Sequence, residues 1–437
     1  MQNLQDKLIN IGAKLNENKY LGSIKDSFIS LMPFTMIGSI AVLWSNVIVN
    51  ERTGLGAFFK PVMELSFLNP AFNALNFCTL GCISLYIAFF IGTKLGEKLN
   101  SNLDKTFCGG IGVASFIVIT NTVQTLGDSS VSGIFSASLG SGGLFTAMIA
   151  SMIGVKLFSV FYGVDALKIK LPDAVPPQIS RSFEYLIPAV IVLFIMSICS
   201  LTIQTVTGGL FLSDLIMKFV QTPLMKVGGS LPGMLTFQIV ILLLWSIGLH
   251  GDNMVSGVLS PIVTAMTTAN MEAVSNGQAA TNIFTSGFNR AFFATGGTGM
   301  VIALTIAMML KAKRDDNKAI SRVAFVPNLF NIGEVDMFGY PVVLNTSLII
   351  PFVIAPLVSG TIGYVLTVTG FCPVFAYDVP WTMPPLLIAF IATGGSIKAI
   401  ITQLIAITVS VLIYLPFVSM HEKAQAKTEE MEKGEQA

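Results

Sequence analysis

Charge is what this sequence has least of. Of its 437 residues only 11% are Asp, Glu, Lys or Arg, where a soluble domain has about 25%. In their place 53% are hydrophobic, and the mean hydropathy is +0.75. A folded soluble chain buries at most about three quarters of its surface. That much apolar surface excludes a cytosolic enzyme, a disordered chain and a fibrous repeat. A net charge of +1 gives no electrostatic case for nucleic acid. Only two histidines occur, His250 and His421, which excludes a histidine-rich metal site. Neither G-x-x-x-x-G-K-S/T nor H-E-x-x-H is present, so the usual ATP-driven pump and zinc hydrolase are excluded as well. The five cysteines (Cys78, Cys82, Cys108, Cys199, Cys372) are an odd number. They read as small core side chains and not as a disulfide or metal set. No metal or cofactor is expected. Nor is a cleavable signal peptide, since the first 26 residues carry four lysines and no apolar core.

What remains is an all-α polytopic membrane protein. Ten charge-free intervals mark the expected transmembrane helices: 27–50, 65–93, 106–127, 129–155, 185–213, 227–249, 253–271, 291–310, 337–377 and 379–420, the last broken only by Lys398. Each has about the 20 residues a crossing helix needs. The short alternating segments of a β-barrel are missing. Lysines and arginines cluster before the first interval, after the second, fourth and eighth, and in the tail. With ten crossings, the positive-inside rule places both termini in the cytoplasm of a plasma-membrane protein. Two short amphipathic stretches read as interfacial helices: Leu4, Leu8, Ile11 and Leu15, and then Leu212, Leu215, Ile216 and Phe219, where Asp214 and Lys218 pair at i,i+4. The second stretch divides the chain into an N-terminal half 1–207, a linker 208–229, a C-terminal half 230–420 and a charged tail 421–437. His421 falls in that tail and reads as solvated.

Polar residues at membrane depth are expensive, so each points to function. Four clusters lie in the second half: Trp245 to Asn253, with His250, Gly251 and Asp252; the polar stretch 273–290, ending at Asn289 and Arg290; Pro327 to Pro341, with Asn331, Glu334 and Asp336; and Asp378 to Pro385, with Trp381. Apolar residues interrupted by Gly, Pro, Asn and a single charge are the pattern of re-entrant hairpins and broken helices. Such backbone is tolerated in a membrane only where it lines a cavity walled by protein. Asn, His and carboxylate groups hydrogen-bond hydroxyls, and Trp offers a flat face to a sugar ring. A neutral, hydroxyl-rich solute fits this inventory. Each residue also has a structural reading: Glu334 pairing with Arg290 or capping a hairpin, Trp381 anchoring at the interface, His250 ending a helix.

At these motifs the chain resembles the membrane-embedded IIC component of the bacterial phosphoenolpyruvate-dependent sugar phosphotransferase system. Within it the chain is similar to the lactose/cellobiose/diacetylchitobiose branch, and most to its N,N'-diacetylchitobiose permeases. The matching pieces are Pro172 to Phe183, Gly248-Leu-His250-Gly-Asp-Asn253, Asn331-Ile-Gly-Glu334, Gly339-Tyr-Pro341 and Val379-Pro-Trp381-Thr. The resemblance implies a permease that translocates a β-linked disaccharide, diacetylchitobiose or cellobiose. It implies that the C6 hydroxyl is phosphorylated by the phosphocysteine of a separate IIB protein. It makes Glu334 and His250 the catalytic pair, and it implies a homodimer joined through the first half, with sugar held by the second. His250, Gly251, Asn253, Asn331, Glu334 and Trp381 are the expected sugar-binding residues. A carboxylate can accept the hydroxyl proton as phosphate is attacked, so Glu334 is the first choice of base. The alternative is a proton-coupled secondary sugar transporter, with Glu334 or Asp336 carrying the proton.

Overall fold

In lipid a backbone finds hydrogen-bond partners only within itself, and the charge-free intervals are accordingly helical. The computed structural model describes residues 18–50, 55–126, 129–172, 174–340 and 342–435. Its principal helices are α1 Lys19–Leu43, α2 Ile83–Leu99, α3 Lys105–Val118, α4 Leu144–Tyr162, α5 Pro177–Thr207, α6 Leu231–Ser246, α7 Gly251–Ser275, α8 Val301–Lys311, α9 Asp315–Leu329, α10 Thr346–Val368 and α11 Ile397–Glu435. Between α3 and α4, β1 Val123–Leu126 pairs antiparallel with β2 Ser129–Ser132, the only strands among the described residues.

Small residues set the packing of the first half. α2, α3 and α4 lie against one another. A Cβ on Gly92 would sit 2.4 Å from the Cys108 carbonyl oxygen, so the two backbones meet as membrane helices with small residues do. In the second half α8, α10 and α11 bury Tyr414, Phe352 and Met308. The short helix Ser286–Phe292 is buried among aromatics, with Phe288 and Phe292 both edge-on against Phe375. The halves are not separate. α1 packs along α7, the Glu272 carboxylate accepts from the Ser141 amide at 2.8 Å and hydroxyl at 2.7 Å, and Ser39 donates to the Asp378 carbonyl at 2.7 Å.

Every one of the ten charge-free intervals holds helix, but their lengths differ. Among the described residues six helices are long and apolar enough to cross a membrane, or up to seven if Leu212–Gly228 and Leu231–Ser246, bent by 77°, form one span. α3 and α8 have 14 and 11 residues. α7 has 25, yet the Ser, Thr and Asn residues along it keep it from the apolar group. Absence of charge measures the cost of insertion and says nothing of helix length. The interval 291–310 shows the difference, because residues 293–300 form a glycine-rich loop between two helices.

Other expectations are corrected. Residues 212–228 are one helical stretch, but Asp214 caps it by accepting from the Phe211 amide at 2.8 Å and forms no ion pair with Lys218. His421 is not solvated. It is 8% exposed and meets the Tyr340 ring edge-on at 4.9 Å, because α11 runs on through it and carries Glu422 inward. All five cysteines are free, but Cys78 and Cys199 lie exposed on apolar helices and not in a core. The stretch from Leu4 to Leu15 lies outside the described residues.

Candidate functional site

The four polar clusters of the second half converge on one cavity of about 570 Å³. α1 supplies a further wall through Lys25, Phe28 and Thr35, so the first half also contributes to the cavity. His250, Asn253, Asn331, Glu334 and Trp381 all line it; Gly251 does not. Gly251 is buried where α7 starts against α6. A Cβ there would stand 2.2 Å from the Ile241 carbonyl oxygen, so this glycine serves close packing and not a ligand.

His250 is the N-cap of α7. Its Nδ1 accepts from the Asn253 backbone amide at 3.3 Å, satisfying one of the orphan N–H groups of a helix start. A neutral imidazole whose Nδ1 accepts carries its proton on Nε2, and Nε2 has no protein partner among the described residues. The ring packs against Trp245, centroids 4.4 Å apart. The Trp245 indole N–H donates to Asp252 Oδ2 at 2.8 Å, and the Thr298 hydroxyl donates to the same oxygen at 2.5 Å. The Asn253 side chain is exposed and makes no hydrogen bond among the described residues, leaving its amide to the cavity.

Glu334 opens the short helix Glu334–Gly339. It is exposed toward the cavity, and among the described residues its carboxylate has neither a hydrogen bond nor an ion pair. The pairing with Arg290 considered above is not made. Asn331 differs from Glu334. It takes a left-handed backbone (φ 62°), its Oδ1 accepts from the Gly296 amide at 2.8 Å, and its amide group donates to the carbonyls of Trp381 at 2.7 Å and Met383 at 3.0 Å. Both amide hydrogens are used, so Asn331 ties together three walls and has no donor left for a ligand. Trp381, 39% exposed, is one of the groups it fixes.

Two features were missed in the sequence, and a third, Arg290, was read there only as a structural partner. Arg290 lines the cavity with no carboxylate within 4.0 Å and no guanidinium hydrogen bond among the described residues. Its place as a lone cation where the polar stretch 273–290 meets the charge-free interval 291–310 was the available signal. Asp252 and Thr298 bind each other across 46 positions, a contact no local pattern encodes. The contribution of α1 was hidden because Phe28 and Thr35 read as ordinary span residues and Lys25 as one of the lysines before the first span. Asp336 is fully buried and does not line the cavity; it accepts from Thr305 at 2.8 Å and from Asn328, joining α8 and α9 to the Glu334 helix. An apolar cavity with a free carboxylate, a free imidazole N–H, a free amide, a guanidinium and an indole face is built to hold a polyhydroxylated solute.

Comparison with known proteins agrees with this chemistry. The family Phosphotransferase system, EIIC matches residues 25–356. The lichenan permease IIC component of Bacillus subtilis is 34% identical over 436 residues, covering 98% of this chain and 95% of that one. The cellobiose-specific EIIC component of Geobacillus stearothermophilus is 30% identical, covering 98% and 95%. The crystal structure of ChbC, the IIC component from the N,N'-diacetylchitobiose-specific phosphotransferase system, superposes with a TM-score of 0.88 at 30% identity, covering 98% of this chain and 99% of that one.

Proposed function

The chain belongs to the EIIC family of the phosphotransferase system, and from that premise we propose that it carries a β-linked disaccharide, diacetylchitobiose or cellobiose, and presents its C6 hydroxyl to the phosphocysteine of a IIB protein. The observation that carries this reading is the unpartnered Glu334 carboxylate in the wall of the cavity that also holds His250 and Trp381. A carboxylate without a protein partner is available to a ligand hydroxyl.

Glu334 takes the proton of the C6 hydroxyl as the C6 oxygen attacks phosphorus. The P–S bond breaks, the thiolate leaves with the electron pair, and the product is sugar 6-phosphate. His250 holds its proton on Nε2 and so is a donor at this step. It orients the C6 oxygen or stabilises charge on the phosphoryl oxygens, and the role of base falls to Glu334. The Arg290 guanidinium and the Asn253 amide donate to sugar oxygens, and the Trp381 ring covers an apolar sugar face. Asn331 organises the site without touching sugar.

We place both termini in the cytoplasm, where the lysine-rich ends belong by the positive-inside rule, and assign the dimer contact to α5. Leu186, Val190, Phe194, Ile198 and Leu201 lie on α5 at spacings of three or four, each at least 44% exposed, so an apolar stripe faces lipid or a second copy.

The test uses the purified protein in liposomes with labelled diacetylchitobiose or cellobiose, with and without phosphorylated IIB, and chemical identification of the product. Sugar 6-phosphate formed only with phospho-IIB is the expected result. Unmodified sugar accumulating with a proton gradient, indifferent to IIB, would overturn the proposal in favour of a secondary transporter.

A further inference from the structure

We propose that Asp252 is a positioning residue that fixes His250 relative to Glu334. His250 sits at the start of α7 and Glu334 on a short helix 84 positions later, and neither touches the other through a hydrogen bond. Between them runs a chain of contacts with Asp252 at its centre. On one side, Asp252 Oδ2 accepts from Trp245 Nε1 at 2.8 Å, and the Trp245 ring backs His250 at 4.4 Å between centroids. On the other, the same oxygen accepts from Thr298 at 2.5 Å. Thr298 belongs to the glycine loop that abuts the Glu334 motif. Gly297, at φ 116°, lies so close that a Cβ would be 3.0 Å from the Gly333 nitrogen, and the Gly296 amide is held by Asn331 at 2.8 Å.

Among the described residues, the bond from Thr298 to Asp252 is the only hydrogen bond joining segment 245–253 to segments 294–300 and 331–334. A carboxylate oxygen that takes two donors at once is a strong, short connection. It spans the two motifs that the phosphoryl transfer needs in register. The glycines explain why the loop can make it: the positive φ at Gly296, Gly297 and Gly299 allows the chain to turn Thr298 toward α7 while lying flat on Gly333. Asp252 thereby acts through Trp245 and Thr298, and not by contact with the reacting atoms.

This inference rests on the function proposed above, and the experiment separates their failures. Thr298→Val removes the hydroxyl and keeps the shape, and Trp245→Phe removes the N–H and keeps a ring against His250. In liposomes with phospho-IIB, each is expected to lower the rate of sugar phosphorylation at saturating sugar by about tenfold to 100-fold, the effect of a small misplacement of reacting groups. Equilibrium sugar binding should change by no more than about threefold, the mark of an interaction felt in the transition state. Thr298→Ser restores the hydroxyl and should recover most of the rate. An unchanged rate in Thr298→Val would overturn the proposal. So would a loss of sugar affinity as large as the loss of rate, which would make Asp252 or Thr298 a direct sugar ligand, or a Thr298→Ser variant as slow as Thr298→Val. If the unaltered protein makes no sugar 6-phosphate, the functional reading falls instead.

Discussion

Replacing Glu334 with Gln isolates its proposed role, because almost nothing else should change. The side chain is exposed to the cavity and makes no hydrogen bond or ion pair to the described protein. The folded state therefore loses no internal interaction, and stability should move by less than about 0.5 kcal/mol. Sugar binding exchanges a charged acceptor for a neutral one at a single hydroxyl, worth about 1 kcal/mol or roughly fivefold in Kd. Chemistry should respond far more. A positioned base contributes about 10²- to 10⁴-fold, which is about 3–5 kcal/mol of transition-state stabilisation at 1.36 kcal/mol per decade. The assay is single-turnover formation of sugar 6-phosphate in proteoliposomes with excess phospho-IIB, beside equilibrium binding of labelled sugar in detergent. A variant that binds sugar within about tenfold of the wild type and phosphorylates it 100-fold or more slowly is expected. Phosphorylation within a few-fold of the wild type would refute the assignment of Glu334 as base. A collapse of sugar binding would show that the carboxylate holds the ground state.

Trp381→Ala should raise the sugar Kd by about fivefold, since a stacking face worth about 1 kcal/mol disappears while the backbone carbonyl that Asn331 holds is retained; unchanged affinity by isothermal titration would return Trp381 to an anchoring role. Arg290→Gln should also weaken sugar binding, by about fivefold to tenfold for lost hydrogen bonds from a charged donor, and should change the detergent melting temperature little, because among the described residues the guanidinium makes no hydrogen bond or ion pair and only longer-range attraction to Asp378 and Asp252 is lost; a large drop in melting temperature would show a structural duty instead. Glu422→Ala should destabilise the protein by about 2–4 kcal/mol, since that buried carboxylate accepts from the Lys313 amide at 2.7 Å, the Arg314 amide at 3.1 Å and the Asn317 side chain at 2.6 Å; thermal unfolding in detergent reads this directly.

Much of the architecture is legible in the sequence. Excluding charge from long runs has a physical cause, the cost of burying ions in lipid, so composition and spacing located helix in all ten intervals. The same cost made the interrupting polar residues conspicuous, and His250, Asn253, Asn331, Glu334 and Trp381 all reached one cavity. The count of crossings was less legible, because helix length depends on where glycine and proline break the hydrogen-bond ladder, as at Gly296 to Gly299. His421 was misplaced for a related reason. The charged run after it suggested water, but α11 continues through residue 421 and turns one face of the tail inward against Tyr340 and the start of α9.

The sequence by itself thus determined the solvent of this protein, its helical class and the residue types of its site, because each follows from local composition. Tertiary structure alone decided what each polar residue does. Asn331 and Gly251 belong to motifs that look like ligand sites, yet one spends its amide on three backbone partners and the other admits a neighbouring carbonyl. Glu334 and Arg290, which the sequence allowed to neutralise each other, form no ion pair with each other, and both line the cavity. Whether a polar group is satisfied by its own chain or left for a ligand depends on which distant backbone comes within about 3 Å, and only folding sets that distance.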